Sequence, residues 1–187
     1  AGTDAEPRTA ESKLREAVSV QDFMGTLSTA EAIQAAIDAV SAAGGGTVYF
    51  PNGEYVVEPD QPAAGYLSGG TGSPFGETLK YAIEMKSNVA LVGDMAVIKV
   101  AGGVSTDTAP QNFAVFYSEE ALSNLQFRNI IFDMNGQNNK FSAQRANETL
   151  TQENRYKRLH QAAIFFEGEF GKADNVTIQN CTFKNGA

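Results

Sequence analysis

Four acidic residues at the ends of short apolar segments are the first candidates for chemistry: Asp133, Glu167, Glu169 and Asp174. Two carboxyl groups that face each other can serve as acid and base in a hydrolysis, and one beside a cation can serve as the base of an elimination. The catalytic assignment falls on Asp133, Glu167 and Glu169. The sequence leaves open whether any two of these groups face each other, and the alternative is that they are solvated corners, the common state of a carboxylate.

A second candidate is electrostatic. Residues 137–161 hold Lys140, Arg145, Arg155, Lys157 and Arg158 against only Glu148 and Glu153, a local charge of +3 in a chain of net charge −8. Arg145, Arg155, Tyr156, Arg158 and His160, the only histidine, form the expected binding set, with Tyr156 available to stack on a ligand ring. Such a segment suits an acidic ligand; the alternatives are a solvated loop or one packed on a neighbouring subunit. The single cysteine, Cys181, reads as a small buried hydrophobe and not a nucleophile, and one cysteine supplies neither a disulfide framework nor a metal cluster. No metal and no cofactor is expected. The Asn-x-Thr triplets at Asn147, Asn175 and Asn180 are weak glycosylation signals, since two of them lie in predicted strands. Gly44-Gly45-Gly46 ends a helix and does not precede one, so it is no phosphate loop.

Composition narrows the setting. A net charge of −8 and a pI near 4.7 argue against nucleic acid, because phosphate contacts need a basic face. No apolar run approaches the roughly 20 residues a membrane span needs, and no basic start leads into an apolar signal core. With 42% hydrophobic residues, 18 Gly, 12 Phe and no Trp, the 187-residue chain suits one domain of short buried strands with frequent turns.

The elements that must position these groups follow from periodicity. Residues 1–17 read as a neck, with a helical turn within 11–16, and Val18–Phe23 as a first strand. Ser28 with Glu31 makes a capping box, after which Ile33, Ala36, Ile37 and Val40 recur on one helical face up to the glycines. Such a helix, placed before the strands TVYF and EYVV, is expected to lie as a lid across the open end of the sheet structure. From residue 81 onward, segments 81–100, 113–136 and 162–186 share one plan: an apolar strand, a polar corner, an Asn opening a second strand, and a third strand close behind.

Ile83, Val115 and Ile164 are expected in one register of these segments, and Asn88, Asn124 and Asn175 in another. Asn129 should match Asn180, and Phe132 should match Phe183. Alternation points Val176, Ile178, Cys181 and Phe183 inward. Recurring Asn suits left-handed corners and side-chain ladders along a solenoid. Residues 60–79 and 137–161 read as long excursions.

The run AEAIQAAIDAVSAAGGGTVYFPNGEYVV, with SNVALVG and NVTIQNCTFKNG, resembles the pectate-lyase-like superfamily of right-handed parallel β-helices. The neck TAESKLREAVSVQDF is most similar to that of bacteriophage tailspikes. Relatives carry a GDG loop with paired Asp after the DF pair, whereas Met24-Gly25-Thr26-Leu27 stands there in this chain, so no role of that loop carries over. The resemblance implies an all-β coil with an N-terminal capping helix, forming the first coils of a longer protein. It implies a homotrimer on the virion tail that binds and depolymerises a capsule or lipopolysaccharide. The alternatives are a secreted bacterial lyase, hydrolase or epimerase, or a non-catalytic glycan-binding β-helix. Catalytic carboxylates in the family generally lie on later coils, which leaves open whether residues 1–187 contain them.

Overall fold

The computed structural model describes residues 17–63, 79–106, 109, 111–139, 161–166 and 173–186. The chain enters on β1 (Ala17–Ser19), three residues long where a strand through Phe23 was expected. Ser19 ends it by capping a 3-10 turn over Val20–Phe23: its Oγ accepts from the Gln21 N–H at 3.2 Å, and the Ser19 N–H donates to Asp22 Oδ2 at 3.1 Å. Helix α1 (Thr29–Ala42) then starts at the expected box, with Ser28 N–H donating to Glu31 Oε2 at 2.8 Å. This hydrogen bond and the neighbouring Ser28 hydroxyl hold the exposed Glu31 carboxyl below its ordinary pKa.

The α1 stripe of Ala32, Ile33, Ala36, Ile37 and Val40 is fully buried and packs against the first strands. Each buried Ile or Val contributes roughly 1.5–3 kcal/mol. Gln34 adds a polar clamp. Its Nε2 donates to the Glu84 carbonyl at 3.1 Å and its Oε1 accepts the Glu84 N–H at 2.7 Å, so one side-chain amide satisfies both backbone groups of a strand edge. Gly45 follows at φ +112, with its Cα so near Asn88 that a Cβ would lie 2.6 Å from that residue's Cβ and carbonyl oxygen.

Strands β2 (Gly46–Phe50), β3 (Glu54–Val57), β4 (Gln61–Pro62), β5 (Leu79–Glu84), β6 (Val89–Val100), β7 (Asn112–Ser118), β8 (Leu122–Asp133), β9 (Gln161–Phe166), β10 (Ala173–Gln179) and β11 (Thr182–Lys184) form two sheets. Sheet A runs β1-β2-β6-β8-β10, with β3 paired to β6 and β11 to β8, and every pairing in it is parallel. Sheet B runs β4-β5-β7-β9, parallel except for the β4–β5 pair. Pairing between non-consecutive strands in both sheets means that the chain winds once per coil: β5 to β6, β7 to β8, then β9 to β10 and β11. The three repeating segments are these three coils.

Corners keep the winding in register. Asn88, Asn124 and Asn175 adopt φ of 63°, 58° and 56°, and their side chains form a ladder, Asn124 Nδ2 to Asn88 Oδ1 at 2.8 Å and Asn175 Nδ2 to Asn124 Oδ1 at 3.0 Å. Asn129 and Asn180 take the same left-handed conformation, at 55° and 52°, between the two legs of their sheet A strands. In the preceding coil that place is taken by Met95 at φ 55°, where the register shifts between Val92 and Ala96. Gly93 is required beside it, since a Cβ there would sit 2.7 Å from the Asn129 carbonyl oxygen.

One expected register is off by a residue. Ile83 pairs with Phe116, not Val115, and Phe116 pairs with Ile164. Here two successive residues of each strand, Ala82-Ile83 and Val115-Phe116, both lie in the core, and alternation no longer distinguishes them. Phe116 then meets Phe127 and Phe132 from the two legs of β8, with ring centroids 5.6 and 6.1 Å apart in edge-on contacts. Each such contact contributes about 0.5–1.5 kcal/mol beyond burial. In the last coil the inward register holds, with Val176 beside Leu125, Ile178 beside Phe127 and Phe183 beside Phe132. No further strand covers that rung among the described residues, so Ile178 and Phe183 are 48% and 52% exposed.

The second excursion starts later than residue 137. Asn138 and Asn139 belong to the corner after β8, and Asn139 is completely buried. No helix among the described residues is long and apolar enough to cross a membrane.

Candidate functional site

Most of the candidate residues fall, in sequence, on either side of β9 of sheet B. Residues 140–160 lead into Gln161, the first residue of β9, and residues 167–172 leave Phe166, its last. Arg145, Arg155, Tyr156, Arg158, His160, Glu167 and Glu169 therefore bracket one six-residue strand in sequence, and all seven lie outside the described residues.

On the side of sheet B away from the main core, Leu79, Ala114 and Tyr117 make a second apolar cluster with Ala63. An aromatic ladder crosses its rungs: Tyr81 stacks on Tyr117 at 5.0 Å and Tyr117 on Phe165 at 6.1 Å, with ring planes 24° and 4° apart. The Tyr117 hydroxyl bonds Glu119 Oε1 at 3.3 Å. Burial pushes the Tyr81 phenol up, and the Glu84 and Glu119 carboxylates add to the shift, so it stays a neutral donor. Burial opposes the charge on Lys86, but the Glu84 hydrogen bond, at 3.0 Å, and the charges of Glu84, Asp38 and Glu120 outweigh it and raise the ammonium pKa.

This corner of Glu84, Lys86, Glu119 and Glu120 was missed from the sequence. The signal lay in the repeat itself: Glu119 follows Ser118, the last residue of β7, as Glu167 follows Phe166, the last of β9, and Ser118 and Phe166 are partners.

Asp133 stands apart, at the end of β8 on sheet A. It is 6% exposed, so it is not a solvated corner. Its Oδ1 accepts from the Asn135 N–H and from Asn185 Nδ2, both at 2.9 Å, and its Oδ2 lies 3.4 Å from Lys184 Nζ. Burial alone would raise its pKa, but the Asn185, Asn135 and Lys184 interactions together hold the carboxyl below its ordinary value. The group is kept as an anion that staples one coil to the next, a state that suits charge stabilisation and not proton donation.

Asp174, at the start of β10, is exposed and paired in register with Ser123. Cys181 is half-buried against the core, and its thiol contacts the Phe127 carbonyl oxygen at 3.4 Å, in keeping with a packing role. Among the described residues no group of three or more His, Cys, Asp or Glu side chains could hold a metal.

A cleft of about 860 Å³ opens between the start of α1, the β3–β4 connection and β5. Glu31, Glu58, Asp60 and Glu84 line it, giving it a negative field that disfavours a polyanion.

Comparison with known proteins places this architecture. Residues 21–187 match the family model described as rhamnogalacturonase A/epimerase, pectate lyase-like. Mannuronan C5-epimerase AlgE3 of Azotobacter vinelandii is 38% identical over 111 residues, 57% of this chain and 5% of that protein. Alginate lyase 7 of the same organism is 44% identical over 82 residues, 42% of this chain and 8% of that protein.

Among solved structures, the tailspike of E. coli bacteriophage HK620, a mutant in complex with pentasaccharide, superposes with a TM-score of 0.64 at 22% identity, covering 99% of this chain and 28% of that one. The A-module of A. vinelandii mannuronan C-5 epimerase AlgE4 gives 0.55 at 26% identity, covering 89% of this chain and 38% of that one. The chain thus spans a small fraction of the curated relatives and about a third of these solved chains. The winding, the Asn-cornered rungs and the match across nearly all of its length assign the chain to the rhamnogalacturonase A/epimerase, pectate lyase-like family of β-helix proteins.

Proposed function

We propose that this chain is the N-terminal portion of a polysaccharide-active, right-handed parallel β-helix, of the tailspike type that binds and depolymerises a bacterial capsule or lipopolysaccharide. The observation that carries the reading is the family match from residue 21 to residue 187, whose structural neighbours include a tailspike in complex with a pentasaccharide. In this reading α1 closes the mouth of the coil, and the apolar rung left open at Val176, Ile178 and Phe183 is covered by a further coil. The working protein is a homotrimer on the virion tail. Arg145, Arg155, Tyr156, Arg158 and His160, which precede β9 in the sequence, are the binding set, and Asp133, Glu167 and Glu169 are the catalytic candidates.

A specific observation favours a second reading. The curated relatives at 38–44% identity include mannuronan epimerases and an alginate lyase, which supports a secreted bacterial enzyme acting on a uronate polymer.

The test is incubation of the full-length protein with purified capsule, lipopolysaccharide and alginate. New reducing ends mark hydrolysis, unsaturated uronate absorbance marks elimination, and altered uronate stereochemistry by NMR marks epimerisation. No product from any of them would leave binding alone. An active monomer by mass measurement would count against the tailspike form. For the basic segment, Arg155→Ala combined with Arg158→Ala should weaken glycan retention in a salt-dependent way. Unchanged retention would remove that segment from the site.

A further inference from the structure

We infer that the outer face of sheet A carries a second glycan-binding strip, remote from sheet B, that takes a uronate-containing polysaccharide; this rests on the polysaccharide reading above. The strip is a single column of partnered residues: Tyr49, Val92, Arg128 and Gln179. They face outward because their strand neighbours Val48, Phe50, Leu91 and Phe127 are buried in the core. Parallel rungs lie about 4.8 Å apart, a step comparable to one pyranose ring, so the column meets an extended glycan about one sugar per rung.

The chemistry along the column is that of sugar recognition. Tyr49, 39% exposed, offers an apolar ring with a polar tip. Arg128, two rungs on, is exposed and pairs with no carboxylate among the described residues. Elsewhere on this face lysines answer acids, Lys99 with Glu54 at 3.2 Å and Lys184 with Asp133 at 3.4 Å, so Arg128 is left to face an incoming anion. Its planar fork matches a carboxylate in two parallel hydrogen bonds. Beside it runs a second column, Thr47, Ala90, Gln126 and Thr177, whose hydroxyl and amide groups suit sugar hydroxyls. Because the rungs are fixed by backbone pairing, little ordering is required on binding. Asp94, exposed at the corner two residues past Val92, is the nearby charge that opposes an anion.

The test uses the full-length protein in affinity electrophoresis through gels containing polymannuronate or, as the neutral control, dextran. Tyr49→Ala and Arg128→Ala should each weaken retention by polymannuronate roughly three- to tenfold. Arg128→Ala should also flatten the salt dependence, Arg128→Lys should restore part of the retention, and Asp94→Asn should increase it. Retention by dextran should not respond to Arg128→Ala. Thermal unfolding, unchanged in these surface variants, excludes loss of fold. If the parent protein is retained by polymannuronate and the Tyr49 and Arg128 variants migrate like it, the strip is wrong while the polysaccharide reading stands. If the parent protein is retained by neither polymer, both the strip and its uronate specificity fall.

Discussion

Asn139→Ala offers a stringent test of how the coils are tied together. The Asn139 side chain is fully buried. Its Nδ2 donates to the Ala101 carbonyl at 2.9 Å and more weakly to the Met134 and Asn135 carbonyls, at 3.4 and 3.3 Å. Its Oδ1 accepts the Val104 N–H at 2.9 Å and the Ser105 N–H at 3.4 Å. One amide thus joins the connection leaving β6 to the corner leaving β8. Truncation leaves the Ala101 carbonyl and the Val104 N–H, both at partly buried residues, without their best partner.

Each orphaned backbone group costs about 1–3 kcal/mol, so the variant should lose roughly 2–6 kcal/mol. At 2–4 °C per kcal/mol for a chain of this size, its midpoint should fall by about 5–20 °C. Calorimetry and urea unfolding measure this, with Gln126→Ala, an outward residue on β8, as the near-neutral control. Asn139→Asp sharpens the test: a carboxylate would face three carbonyl oxygens, so stability should fall further as pH rises through the carboxyl range and recover on protonation. A loss in Asn139→Ala no greater than in Gln126→Ala would refute the reasoning.

Two further perturbations probe the corners. Because the folded carboxyl of Asp133 titrates below its unfolded value, its stabilising contribution is fully present above the ordinary carboxyl pKa of about 3.9 and is lost as pH falls through the lower folded value. Asp133→Asn should therefore flatten the acid limb of the stability–pH curve measured by urea unfolding, and a limb of unchanged steepness would contradict the staple. Met95→Asn should raise stability by about 1 kcal/mol, because a Met in the left-handed region is replaced by the residue type that tolerates it at Asn129 and Asn180. A lower urea midpoint would show that the exposed Met95 side chain makes a contact that outweighs its backbone strain.

The Asn-cornered repeat, the capped helix with its Ile33–Val40 stripe and the glycines that end it are legible in the residues, because each is local. A capping box spans four residues, alternation spans two, and a left-handed corner asks for Asn or Gly at one position. The one-residue slip at Val115 shows where that reading stops. Alternation assumes that only every second residue faces the core, whereas Val115 and Phe116 are both buried there and Phe116 meets Phe127 and Phe132 across it. The Gln34 clamp on Glu84 has no signature in sequence either, since its two partners lie 50 residues apart.

The candidate chemistry divides along the same line. Residue type alone marked Asp133 as a possible acid, while only the packing of Asn135, Lys184 and Asn185 around it shows a carboxylate held in its charged form. The corner of Glu84, Lys86, Glu119 and Glu120, and the column joining Tyr49 to Arg128, exist only once the coil is wound. Residues 79 positions apart in the chain become neighbours two rungs apart through backbone pairing with strands between them. Sequence determines the corners and the inward faces because these depend on nearest neighbours, whereas which outward side chains share a column depends on the length of every connection, and that is decided by the folded coil.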